Sequence, residues 1–194
     1  MSPKVKAQPK VKKDEAVASA SGITTPPGVI PHNAKRTEKL VLFTGFSCNA
    51  YCHFCIDLNK RDVPDKSIQQ LVREMVQARD KGVEYLEIIG GEATMRADFL
   101  PLLNTAKKLG FREIILVTNG MMLSYPDFAE KTVAAGVRDI VFSIHGHTAE
   151  LHDQMTATPG SYELLLKGLA NVRSFGLKRT FGNCTVTKRN MQYL

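Results

Sequence analysis

No stretch of this 194-residue sequence approaches the roughly 20 consecutive apolar residues needed to cross a bilayer, so a helical membrane anchor is not expected. The lysine-rich start has no apolar run behind it, which leaves nothing there to act as a secretory signal. Acidic charge is also scarce in that region: residues 1 to 39 hold 8 Lys/Arg against 3 Asp/Glu, which accounts for most of the formal net charge of +7. The remainder is nearly neutral. This uneven distribution removes most of the case for a nucleic-acid or anionic-membrane partner that an isoelectric point near 9.3 would otherwise make. No aromatic residue interleaves the early lysines to stack on bases. The segment mixes Lys, Pro, Ala and Ser without an apolar period, so residues 1–37 are expected to form a disordered basic arm ahead of a domain over 38–194.

Cysteine is sparse as well. Of four in total, three fall in CNAYCHFC at residues 48 to 55, and the fourth is Cys184. The 43% hydrophobic and 23% charged composition is that of a soluble globular protein with one core. With no export signal in view, the protein is expected in the cytoplasm, where clustered cysteines are read as metal ligands rather than disulfides.

From Lys39 the pattern becomes regular. KLVLFTGF is an apolar, β-prone run ending at the cysteine loop. Ser67 and Gln70 have the spacing of a capping box, Ile68, Leu71, Val72, Met75 and Val76 recur at helical spacing, and Gly82 closes the segment. VEYLEIIGGE then reads as a strand into a glycine pair, followed by a helix over 98–109. REIILVTNG and a helix through FAEKTVAA to Gly136 repeat the unit, and RDIVFSIHG supplies a fourth strand. Ser161 is the expected N-cap of YELLLKGLANVRSF, and KRTFGNCTVT is the expected fifth strand. This alternation defines an α/β protein with parallel strands joined by right-handed crossovers. It does not separate an open doubly wound sheet from a partial barrel. Both put ligands at the carboxyl ends of the strands, where the cysteine loop, GGE, TNG and SIHGH all fall.

Three thiolates cannot complete a four-coordinate site alone. Zinc would need a further ligand from His53, His145, His147 or His152. A fully ligated iron-sulfur cluster would need Cys184, which falls in the expected fifth strand, where a thiol acts as a small hydrophobe. A [4Fe-4S] cluster held by three cysteines would instead leave one iron open to a substrate or cofactor.

CNAYCHFC has C-x3-C-x2-C spacing with an aromatic, Phe54, before the last cysteine, and Gly90, Gly91 and Glu92 follow one β/α unit later. Over residues 40 to 190 this combination resembles the radical S-adenosylmethionine superfamily. The resemblance implies a partial (β/α)6 TIM-like barrel, with five β/α units in this chain, and an enzyme that cleaves S-adenosylmethionine reductively to yield a 5′-deoxyadenosyl radical for hydrogen abstraction. It implies Cys48, Cys52 and Cys55 as ligands of a [4Fe-4S] cluster, and Gly90, Gly91 and Glu92 as the site for the cofactor's ammonium. It further implies Phe54 beside the adenine and Ser143 at the ribose or methionine. Ser143 would share the inward side of strand four with Val141 and His145. Thr118, Asn119 and Asn183 are further candidates for cofactor contact. An electron donor and a peptide or small-molecule substrate, including cofactor precursors, are implied as partners. RNA modification through the basic arm is a second reading, and a non-enzymatic metal- or partner-binding module a third. The sequence departs from the family at Ala93, where proline is common, and at KRNMQYL, where it stops before a sixth strand. Either a longer enzyme or a second chain is therefore expected to complete the barrel, since the missing unit would leave a bare strand edge.

Overall fold

A computed structural model describes residues 39–193; the segment expected to be a disordered arm, with any RNA-binding role for it, lies outside the described residues. Five strands, β1 (Lys39–Phe43), β2 (Tyr85–Ile89), β3 (Glu113–Thr118), β4 (Val137–Ser143) and β5 (Arg179–Asn183), form one sheet. Every pairing is parallel and the spatial order is β1-β2-β3-β4-β5. Each new strand thus adds to the same edge. A doubly wound sheet would reverse direction at its middle, so this order selects the barrel wall that the sequence pattern left open.

The crossovers are carried by α1 (Ile68–Asp80), α2 (Phe99–Lys108), α3 (Pro126–Ala134), α4 (Ala149–Thr156) and α5 (Ser161–Ser174). Leu42, Leu86, Ile88, Leu116 and Ile140 point to one face of the sheet and are fully buried against Leu71, Met75, Leu102, Leu103, Leu165 and Val172 of the helices. Burying a leucine of this kind contributes roughly 1.5–3 kcal/mol, so this layer supplies most of the driving force for folding. The opposite face is partly polar. Its lower half carries the ion pairs Arg138–Glu113 at 3.1 Å and Arg179–Asp139 at 2.8 Å, together with Lys39–Glu87.

Local signals place several boundaries where the sequence puts them. The Ser67 amide donates to Gln70 Oε1 at 2.8 Å and the Gln70 amide to Ser67 Oγ at 3.3 Å, completing the capping box of α1. At its other end Gly82, with φ 77°, closes a Schellman turn through bonds from Gly82 N to Arg79 O and Val83 N to Ala78 O. Within α1, Leu71, Met75 and Ala78 are buried, Ile68 and Val72 are partly buried against the core, and Val76 is exposed. Two expectations fail. Ser161 is the first residue of α5 rather than its N-cap. The N-cap is Gly160, and Asp153 of α4 reaches across to accept from Gly160 N (2.6 Å), Ser161 Oγ (2.9 Å) and Tyr162 N (2.9 Å). A carboxylate from the preceding helix therefore satisfies the amides that a local cap would have taken. Lastly, β5 ends at Asn183, so Cys184 lies beyond the strand, half-buried, with Asn190 Nδ2 at 3.5 Å from its Sγ.

Candidate cluster and cofactor site

The loop after β1 is held in place by four sets of partners. Asp65 Oδ1 accepts the amides of Phe46 (2.7 Å) and Ser47 (3.1 Å). Burial alone would raise the Asp65 pKa, but the Ser47 and Phe46 amides and the charge of Arg96 outweigh it and hold the carboxyl below its usual range. Arg61 donates through its two terminal nitrogens to Phe46 O and Ala50 O, each at 2.9 Å, spanning the carbonyls on either side of Cys48. At the tip, Tyr51 N and His53 N donate to Thr156 O (3.0 Å) and Met155 O (3.1 Å) at the end of α4.

The fourth partner is the turn after β2. Gly91 N donates to Gly45 O and Glu92 N to Ser47 O, both at 2.7 Å, so the two loops are zipped backbone to backbone. A Cβ on Gly91 would lie 2.2 Å from Ser47 O, and one on Gly90, whose φ is 149°, would lie 2.5 Å from Thr44 Oγ1. Only glycine fits either position. The glycines are thus fixed by the cysteine loop itself, a neighbour that sequence reasoning did not supply.

Glu92 is 3% exposed and ties three segments together. Its Oε1 accepts from Thr94 N (3.2 Å), Thr94 Oγ1 (2.5 Å) and Thr118 Oγ1 (2.7 Å), and its Oε2 accepts from Asn119 N (2.7 Å). Burial raises its pKa more than these four bonds lower it. Oε2 carries a single bond and so keeps acceptor capacity for a further donor. Asn119 in turn gives Nδ2 to Asn49 Oδ1 at 2.7 Å, which joins β3 to the cysteine loop.

These elements enclose a cavity of about 460 Å³ at the carboxyl ends of the strands, within the roughly 300–1,000 Å³ common for small-molecule sites. Cys48, Cys52, Phe54, Cys55, Gly90, Gly91, Glu92, Thr118, Asn119, Ser143 and Asn183 all line it. These eleven cluster and cofactor candidates are therefore brought to one place, Ser143 and Asn183 as register partners on β4 and β5, whereas His53, His147, His152 and Cys184 do not line it. Sequence reasoning missed Arg61 and Asp65, which sit in an ordinary charged stretch with no signal to set them apart. His145, expected on the inward side of strand four, lies in the same wall. That ring is buried, its Nδ1 accepts from Thr185 N (3.2 Å), its backbone N donates to His152 Nδ1 (3.1 Å), and Phe54 packs edge-on to it at 4.5 Å. Burial and the neighbouring His152 push its pKa down to about 4. It is therefore neutral near pH 7, and with Nδ1 occupied the proton sits on Nε2.

The three loop cysteines are free thiols around one wall of the cavity. Burial first, then the charges of Cys48 and Cys55, push the Cys52 thiol up to about 11. Three such thiolates repel one another unless a cationic centre binds them. Among the described residues no three His, Cys, Asp or Glu side chains close on a single ion. His53 and His147 are exposed, and the Nδ1 atoms of His145 and His152 are already engaged, so among the described residues the zinc alternative finds no ligand set there. A cubane spreads three cysteines over three separate irons and does not need them to converge on one point. The donor set fits a three-cysteine cluster.

A parallel β/α barrel wall with three clustered thiols at its carboxyl rim defines a class of cofactor-dependent enzyme domain. Residues 42–193 match the radical SAM superfamily, and the chain belongs to it. Members of that superfamily use a [4Fe-4S] cluster and S-adenosylmethionine. The chain is 32% identical to the AdoMet-dependent heme synthase of Methanosarcina barkeri, covering 82% of this chain and 45% of that protein. It is 30% identical to the mycofactocin maturase MftC of Mycobacterium tuberculosis, covering 77% and 38%. The crystal structure of Streptococcus suis SuiB bound to S-adenosylmethionine shares the fold with a TM-score of 0.68 and 24% identity, over 79% of this chain and 35% of that one. The chain thus spans less than half the length of these relatives.

Proposed function

We propose that this domain binds a [4Fe-4S] cluster through Cys48, Cys52 and Cys55 and cleaves S-adenosylmethionine there, for hydrogen abstraction from a peptide substrate. The observation that carries the reading is the meeting of the three thiols and the Gly90, Gly91, Glu92 turn around one cavity. When bound, the cluster supplies the electron that splits the sulfonium carbon–sulfur bond into methionine and a 5′-deoxyadenosyl radical.

The chain's own residues bind and orient. The free acceptor capacity of Glu92 Oε2 suits the cofactor's ammonium, and a charge-assisted bond there is stronger than a neutral one. Phe54 offers an apolar face beside His145 for the adenine. Ser143 and Asn183 offer polar groups from adjacent strands for the ribose or methionine, and Thr118 and Asn119 hold Glu92 in position between them.

The peptide choice draws on MftC, a mycofactocin maturase, and on SuiB, whose structure is also known bound to the precursor peptide SuiA. The heme synthase relative supports cofactor assembly as the second choice. The reaction needs an external electron donor. No described helix is long and apolar enough to cross a membrane, and we place the protein in the cytoplasm, where free thiols persist.

Anaerobic reconstitution tests this directly: iron and sulfide are expected to bind, and adding S-adenosylmethionine is expected to change the electron paramagnetic resonance spectrum of the reduced cluster. Cys52→Ala should lose the iron. Glu92→Ala should retain most of it but bind S-adenosylmethionine at least tenfold more weakly. A colourless protein with stoichiometric zinc would overturn the reading.

A further inference from the structure

Arg61 sits in the cavity wall beside the three thiols, and nothing in the sequence marks it. Its terminal nitrogens are both spent on backbone carbonyls, Phe46 O and Ala50 O, which bracket Cys48. Its Nε is buried and has no hydrogen-bond partner. A buried N–H of a charged group left without an acceptor is destabilising, so such a group in a well-formed site implies an acceptor that binds there. The chemistry around it says which kind: Cys48, Cys52 and Cys55 line the same cavity as Arg61, and the two carbonyls it holds lie two residues before and two after Cys48. Lysine could not replace this arrangement, because only a planar fork spans two carbonyls and still presents a third donor.

Resting on the cluster reading above, we propose that Arg61 is a positioning residue for the cluster. Its fork sets the loop on both sides of Cys48, while its Nε–H and positive charge face the anionic sulfur of the bound cluster. A cation held there stabilises the reduced state, which carries one more negative charge, and so raises the midpoint potential. Nearby Lys60 does not duplicate this role: it is exposed, paired with Asp57 at 2.8 Å and stacked over Phe46.

The test compares wild type, Arg61→Gln and Arg61→Lys after anaerobic reconstitution, without S-adenosylmethionine. Iron and sulfide content and the midpoint potential from a redox titration followed by paramagnetic resonance are measured. Arg61→Gln is expected to shift to lower potential. Arg61→Lys is expected to stay near the wild-type potential but with lower iron and sulfide, since it keeps the charge and loses the span. If Arg61→Gln assembles no cluster, the wild-type protein decides, grown with 15N-arginine and examined by pulsed paramagnetic resonance in the reduced state. A nitrogen coupling from the guanidinium is expected before any S-adenosylmethionine is added. An unchanged potential in Arg61→Gln, no coupling, or a coupling that arises only with S-adenosylmethionine would overturn the proposal. The last outcome would assign Arg61 to the cofactor's carboxylate. A wild-type protein that takes up no cluster would overturn the functional reading and this inference with it.

Discussion

The two faces of the sheet are built on different principles. The face under the helices is filled by Leu42, Leu86, Ile88, Leu116 and Ile140, residues chosen by kind and volume, whose contacts are non-directional. The rim of the other face is held by directed bonds to named atoms: Asp65 and Arg61 on the cysteine loop, Gly91 and Glu92 zipped to Gly45 and Ser47, and Glu92 to Thr94, Thr118 and Asn119. The first face makes the domain stable. The second makes a particular cavity, and it tolerates far less change per atom.

Gly91→Ala should break this contrast most sharply. The added carbon would sit 2.2 Å from a backbone oxygen, where nothing flexible can yield. We expect at least a tenfold loss of bound iron after reconstitution, although a single carbon is added and no ligand is touched. Leu86→Ala is the matched change on the other face. It should lower unfolding stability by about 2–5 kcal/mol in urea while the folded fraction keeps its full iron stoichiometry. If Leu86→Ala loses iron in the folded fraction as Gly91→Ala does, the two faces are not separable.

Asp153→Asn has the smallest expected effect. It weakens the borrowed cap of α5 and should cost about 0.5–2 kcal/mol at pH 7. Burial would raise the Asp153 pKa, but the Tyr162 and Gly160 amides, the Ser161 hydroxyl and His152 outweigh it, so its folded pKa lies below the unfolded value of about 3.9. The stabilisation is therefore present above that value and lost as pH falls through the folded pKa. Urea titrations of Asp153→Asn and wild type should differ at pH 7 and converge in acid. A difference that persists unchanged at the lowest pH would assign the effect to packing.

The same contrast explains what the sequence disclosed. Strands, the Ser67 and Gln70 box and the Gly82 stop are local and were legible, because each depends on residues within one turn. The cysteine spacing and GGE were legible because ligation chemistry restricts both residue type and interval. The spatial order of the strands was legible only through the family resemblance and not from the strand and helix pattern, since pairing is decided between segments 23 to 46 residues apart. Arg61, Asp65 and Asp153 were hidden for the same reason. Each is an ordinary charged residue whose role comes from a partner the chain brings back, Phe46 and Ala50 for Arg61, Phe46 and Ser47 for Asp65, and the start of α5 for Asp153. Ser161 has the propensity of a cap, but Gly160 takes the N-cap position and Asp153 satisfies the amides that a local cap would serve.

The most direct trial of the cavity's role is to incubate the reconstituted, oxygen-protected protein with S-adenosylmethionine and a strong one-electron reductant, then separate the products by chromatography. The account predicts 5′-deoxyadenosine and methionine in equal amounts, both dependent on the reductant and absent in Cys52→Ala. Cluster-loaded protein that yields no 5′-deoxyadenosine above the control without reductant would contradict it.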